Sequence, residues 1–109
     1  MANIFMSEEA IRDFEQIGDY IARHFRSPKS ALNTIRKIQE RISKLEDFPL
    51  IRTPLSAIVA IKTDYRFLGY RSYLAFYRPQ NDDVLIDRIL HRRQDYVSVL
   101  LGDFPEEDV

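Results

Sequence analysis

The 109-residue chain has no cysteine and no tryptophan, and only three glycines and two histidines. Without cysteine, thiolate zinc sites, thiol nucleophiles and disulfide scaffolds are excluded, and a reduced cytoplasmic setting is the natural expectation. The glycines Gly18, Gly69 and Gly102 stand alone, so there is no glycine-rich phosphate loop. His24 and His91 fall on different expected elements, which removes any histidine pair at metal-ligating spacing. The longest uncharged stretch, Thr53 to Ile61, is far too short to span a bilayer, and no charged-then-apolar leader opens the chain. The expectation is therefore a chain without cofactor, metal or membrane.

What is present is ordinary for a soluble fold, 45% apolar and 30% charged residues. A chain of this size buries roughly 65% of the surface exposed by its unfolded form, enough to fold unaided. One domain is expected over residues 1–102, followed by an acidic tail over 103–109. Four of the 17 acids, Asp103, Glu106, Glu107 and Asp108, lie in that tail, so residues 1–102 hold 16 basic and 13 acidic residues, a net of +3. From Lys62 to Tyr96, six of seven basic residues are arginine, against five acids. A guanidinium fork matches phosphate and carboxylate better than an ammonium does, so this stretch suits an anionic partner. The tail reads as solvated; folded back over the arginines, it would limit such binding.

The short apolar run from Asn3 to Met6 precedes Ser7-Glu8-Glu9, a serine that can cap a helix and two acids that favour its positive end. Ile11, Phe14, Gly18, Ile21 and Phe25 then form a stripe on a helix ending near His24. Ser27-Pro28 starts a second helix, with Ala31, Ile35, Ile38, Ile42 and Leu45 on its apolar face, Arg36 and Arg41 on its polar one, and Phe48-Pro49 at its close. Two such stripes joined by a short turn predict an antiparallel helical hairpin. Beyond Pro54, β-branched and aromatic residues predict strands at Tyr65 to Leu68, Tyr73 to Arg78 and Val84 to Leu90, joined at 69–72 and 79–83. Along the last strand neither alternating face is purely apolar. A final helix, Tyr96 to Leu101, stops at Gly102. The order β-α-α-β-β-β(-α) predicts an α+β fold, a mostly antiparallel sheet with the hairpin packed on one face and the other face partly open.

The densest chemistry lies in Leu90-His91-Arg92-Arg93-Gln94-Asp95-Tyr96. Histidine moves protons near neutral pH, arginine supports developing negative charge, and tyrosine stacks on bases or shares a proton. His91, Arg93 and Tyr96, with Arg66 as a further cation, could cleave RNA without a metal. The competing reading is a strand end, a helix start at Asp95 and solvated arginines. Upstream, Tyr65, Phe67, Tyr70, Tyr73, Phe76 and Tyr77 interleave with Arg66, Arg71 and Arg78. Exposed rings between arginines bind single strands, whereas buried rings simply fill a core, and most of these are expected to be core.

Ser7-Glu8-Glu9-Ala10 through Phe14, Ile17 and Tyr20-Ile21-Ala22, with Ser72 to Arg78 and Ile89 to Tyr96, together resemble the RelE/ParE superfamily of toxins over nearly the whole chain. The resemblance implies the toxin half of a type II toxin–antitoxin module and, as partner, a cognate antitoxin whose disordered segment folds over it. It also implies one of two targets: the translating ribosome with its mRNA, which RelE-like toxins cleave, or DNA gyrase, which ParE-like toxins inhibit. Where the ribonuclease branch commonly carries arginine this chain has Leu74, which neither pairs with phosphate nor supports charge. Phe76 to Arg78 and Leu90 to Asp95 are closer to the ParE-like pattern, so gyrase inhibition is placed first and mRNA cleavage second. A degenerate toxin that only binds its antitoxin is the third reading. Under target binding, Arg71, Arg78, Arg88 and Arg92 are the candidate contacts.

Overall fold

Local capping and apolar spacing place both long helices where the sequence predicts them in the computed structural model, which describes residues 2–49, 52–59 and 62–102. Strand β1 (Ile4–Met6) leads into α1 (Glu8–His24), whose N-cap Ser7 accepts the Ala10 N–H through its hydroxyl at 3.0 Å. Ser27 caps α2 (Pro28–Ser43) in the same way from the Ser30 N–H at 3.1 Å, with Pro28 at the first turn, where its missing N–H leaves no gap. A 3-10 turn, Lys44–Glu46, extends α2 and buries Leu45. After β2 (Thr53–Pro54) and a second 3-10 turn, Leu55–Ala57, the chain forms the meander β3 (Arg66–Tyr70), β4 (Tyr73–Gln80) and β5 (Asp83–His91), then α3 (Tyr96–Leu101). The sheet order is β1-β5-β4-β3-β2, antiparallel throughout except that β1 runs parallel to β5. The acidic stretch 103–109 lies outside the described residues.

The main core fills the space between the helical hairpin and the sheet. Ala10, Phe14, Ile17 and Ile21 of α1 and Ala31, Ile38 and Ile42 of α2 pack on Leu68, Ala75, Tyr77, Val84, Ile86 and Ile89. Gly18 lets the helices approach, since a Cβ there would come 3.0 Å from Ile35 Cδ1. The buried face of α1 therefore runs through Ala10, Asp13, Phe14, Ile17 and Ile21, and the expected stripe residues Ile11 and Phe25 are instead exposed. Asp13 takes an interior position that hydrophobicity assigns to Ile11, because a carboxylate with three donors is better accommodated there than its composition suggests.

Three further features depart from the sequence expectation. The connections are two-residue turns, Arg71-Ser72 and Asn81-Asp82, so the strands are longer than predicted. Both turns place their first residue at positive φ, 53° for Arg71 and 55° for Asn81. Second, the register of β4 and β5 slips at Phe76/Tyr77: Phe76 pairs with Arg88 and Tyr77 with Ile86, leaving Asp87 as the extra residue. This bulge explains the mixed alternation of the last strand, because Val84 and Ile86 before it and Ile89 after it all reach the main core. Third, the far face of the sheet is not open. Leu55, Tyr65, Leu74, Phe76 and Leu90 form a second core there, covered by Val59 and by Tyr96, Leu100 and Leu101 of α3. The aromatic residues of the meander thus divide between two buried faces, with Phe76 and Tyr77 both fully buried.

Candidate functional site

At the end of β5 the backbone turns sharply and ties its own polar groups together. The Gln94 side-chain carbonyl accepts the His91 N–H at 2.8 Å, and His91 Nδ1 accepts the Arg93 N–H at 3.1 Å. With Nδ1 an acceptor, the neutral imidazole carries its proton on Nε2. Arg92 N–H donates to the Ser72 carbonyl at 2.8 Å, clamping this turn to the β3–β4 turn. The His91 ring meets Tyr73 edge to face at 5.6 Å.

Between this turn and α1 lies a cleft of about 370 Å³. Its walls are Gln16 and Tyr20 of α1, Tyr73 of β4, and His91, Arg93 and Gln94. The ion pair of Arg88 with Asp13 forms part of its lining, with Nε and Nη2 donating to the two carboxylate oxygens at 2.8 and 2.9 Å. Asp13 also accepts the buried Ile89 N–H at 2.9 Å. The hydrogen bond from Arg88 to Asp13 holds the guanidinium proton even more firmly than usual, against the opposing effect of burial. Aromatic walls, amides and an exposed guanidinium make a surface suited to a polar or anionic side chain of a partner.

The four residues expected to act together in RNA cleavage are not brought together. His91 and Arg93 share the cleft. Tyr96 is on the opposite face of the sheet, its ring 5.1 Å from Phe76 in the second core, where the Asp95 cap of α3 directs it. Arg66 lies on β3 opposite Tyr77, with Nη1 donating to the Arg52 carbonyl at 2.8 Å. Of the four arginines expected to bind a target, Arg88 is held by Asp13, and Arg78 lies 3.2 Å from Asp87 and over the Tyr65 ring. Asp87 also accepts the Tyr65 hydroxyl at 2.5 Å; burial, reinforced by this bond, pushes the Tyr65 pKa up to about 12. Arg71 and Arg92 are exposed, and Arg92 Nε donates to the Arg71 carbonyl at 2.6 Å.

Sequence reasoning missed Asp13 and Arg41. Asp13 left a faint signal, an acid spaced three residues after Ala10 and four before Ile17 on the buried helix face. Arg41 left none: it sits among the polar residues of α2, yet its Nη1 donates to the Gly69 carbonyl at 2.9 Å, 28 residues away.

The family model described as ParE toxin of type II toxin-antitoxin system, parDE, matches residues 4–96, from β1 to the start of α3. The chain belongs to the ParE toxin family. As a ParE toxin it is the toxin component of a type II toxin–antitoxin system, with an antitoxin as its partner. The fold of this ParE toxin is similar to that of a solved structure described as "Chromosomal ParDE TA system from P. aeruginosa", with a TM-score of 0.70 at 20% identity. The match covers 84% of this chain and 96% of that chain, so the likeness extends over nearly the whole relative. No curated protein matches the chain in sequence. No described helix of this ParE toxin is long and apolar enough to cross a membrane.

Proposed function

We propose that this ParE toxin arrests growth by binding and inhibiting DNA gyrase, without chemistry of its own. The observation that carries this reading is Leu74. Where RelE-like ribonucleases commonly carry a cation, this side chain is 3% exposed and packed with Phe76 and Leu90 in the second core. No charged group could be presented to RNA from that position without opening the core. The separation of Tyr96 and Arg66 from His91 and Arg93 supports the same conclusion. Binding would use the cleft beside His91 and the neighbouring exposed arginines Arg71, Arg92 and Arg93, rather than Arg78 and Arg88, which are engaged within the fold. The antitoxin would add a strand at the β1 edge or lay an amphipathic helix on the helical hairpin, where Ile11, Tyr20 and Leu32 are exposed.

The test is a supercoiling assay with purified gyrase and toxin, run beside mapping of mRNA 5′ ends in cells expressing the toxin without antitoxin. Loss of supercoiling with intact transcripts is the expected result. Untouched supercoiling at high molar excess would refute it. Cleaved transcripts would instead favour the RelE-like reading, for which the shared cleft of His91 and Arg93 is the supporting geometry. Normal growth after expression would leave a degenerate, antitoxin-binding module.

A further inference from the structure

The polar groups that line the cleft beside His91 are bonded to one another in a way that occupies acceptors and leaves donors. Gln94 commits its side-chain oxygen to the His91 N–H, His91 commits Nδ1 to the Arg93 N–H, and Asp13 commits both oxygens to Arg88 and one of them also to the Ile89 N–H. What remains on Gln94, His91 and Arg93 is the amide NH2, the ring Nε2–H and the guanidinium, all of them donors. Asp13 is the only acid in the lining. Burial, reinforced by the neighbouring Tyr20, pushes the Tyr73 pKa up, so this phenol keeps its proton and is a further donor at neutral pH.

Charge in the lining is equally one-sided. Arg88 and Asp13 neutralise each other. Arg93 is exposed and, among the described residues, has no carboxylate within 4.0 Å. One uncompensated positive charge beside several donors matches one negative charge that accepts hydrogen bonds. The helix that forms the other wall limits what can deliver that charge. Along α1, five acids (Glu8, Glu9, Asp13, Glu15 and Asp19) stand against two arginines, Arg12 and Arg23. A nucleic acid carries a charge at every phosphate and would meet repulsion along such a helix, whereas a lone carboxylate inserted at Arg93 would not. Ile17, Ile89 and the rings of Tyr20 and Tyr73 supply apolar wall for the methylenes of a side-chain stem.

We infer that this cleft receives the carboxylate of a single acidic side chain presented by a protein partner. The inference rests on the cleft being the binding surface proposed above, and is independent of gyrase being that partner. Because α1 lies alongside, the residues flanking the inserted acid are neutral or basic.

The experiment is an NMR titration of the full, isotope-labelled toxin with N-acetyl-glutamate N-methylamide at fixed ionic strength, read at the side chains of His91, Arg93 and Gln94. Saturable shifts at all three are expected, with the glutamine analogue about tenfold weaker because it lacks the charge-assisted hydrogen bond. Arg93→Gln should weaken glutamate binding by about tenfold as well. The Arg93 side chain has no ion pair in the fold, so the melting temperature should not move with it. Gln94→Glu keeps the oxygen that accepts the His91 N–H but turns the free NH2 into a charged acceptor, and should abolish the shifts. Lys29→Gln, a charge loss on α2 outside the cleft lining, should leave binding unchanged. A glutamine analogue that binds as well as glutamate, dimethyl phosphate that binds more tightly, or binding indifferent to Arg93→Gln would overturn the inference; tight phosphate binding would mean that the cleft reads a nucleic-acid backbone. Supercoiling assays on the same variants separate this inference from the choice of target. Inhibition lost in both cleft variants supports the two together. Glutamate binding by a toxin that leaves gyrase untouched removes the gyrase reading alone, and gyrase inhibition without glutamate binding removes this inference alone.

Discussion

Removal of Asp13 tests the account of how α1 is fixed to the sheet. Its carboxylate is 6% exposed and accepts three hydrogen bonds, two from Arg88 and one from the Ile89 N–H. In Asp13→Ala the Ile89 amide is left buried without an acceptor, which costs about 1–3 kcal/mol. Arg88 loses its partner, but with 29% of its side chain exposed it recovers hydration by turning outward. The total should therefore fall near the low end of the range for breaking a buried pair, about 3 kcal/mol. For a chain of this length that lowers the melting temperature by about 12 °C. Asp13→Asn retains an oxygen for Ile89 and should cost less, about 2 kcal/mol. Arg88→Ala should be at least as damaging as Asp13→Ala, because it strands the charge that is more deeply buried. Replacing the pair together, as Asp13→Leu with Arg88→Met, should recover most of the loss but not the Ile89 hydrogen bond. Urea unfolding followed by circular dichroism at pH 7 measures all four variants. A cost for Asp13→Ala below about 1 kcal/mol, or an asparagine as damaging as the alanine, would show that this carboxylate does not fix α1 to the sheet.

The two helix caps should differ in weight. Ser7 also donates to the Asp87 carbonyl at 2.6 Å across the bulge, whereas the Ser27 hydroxyl reaches only the exposed Ser30 side chain, so Ser7→Ala should cost about 1 kcal/mol more than Ser27→Ala in urea unfolding. Alkaline titration should reveal Tyr65. Its folded pKa, about 12, lies above the ordinary value of 10, so its contribution is fully present below pH 10 and is lost as the pH rises towards 12. The loss is on the order of 2 kcal/mol after allowance for water at the hydroxyl, and Tyr65→Phe should flatten that part of the stability curve. If the slope is unchanged in that variant, the shift belongs to other groups, with Tyr73 and Tyr77 the first to examine because burial raises both. Leu74→Arg would place a cation in the second core and should cost at least about 4 kcal/mol or prevent folding. A stable, soluble Leu74→Arg protein would remove the main support for a binding mechanism over a ribonuclease.

Much of this molecule follows from local pattern. Ser7 and Ser27 announce both helices, apolar spacing from Ala31 to Leu45 marks the buried face of α2, and β-branched and aromatic runs mark the meander, because caps and periodicity act over a few residues. The same residues in the same order carry the resemblance to RelE/ParE toxins, and the family match over residues 4–96 agrees with it. The pairing of β1 with β5, the bulge at Asp87 and the second core beneath α3 depend on partners up to 80 residues apart, which no local window contains. That distance is why Ile11 looked like core while Asp13 filled the place: hydrophobicity ranks side chains one at a time, and only the fold supplies the donors that let a carboxylate be buried. It also decided which arginines remain available. Arg78 faces Asp87 across the sheet and Arg88 faces Asp13 of α1, Arg41 is carried from a plain polar helix face to the β3–β4 turn, and Tyr96 is turned away from His91. Charge and residue type are properties of the sequence, whereas convergence and neutralisation belong to the tertiary structure, because both are set by through-space distance.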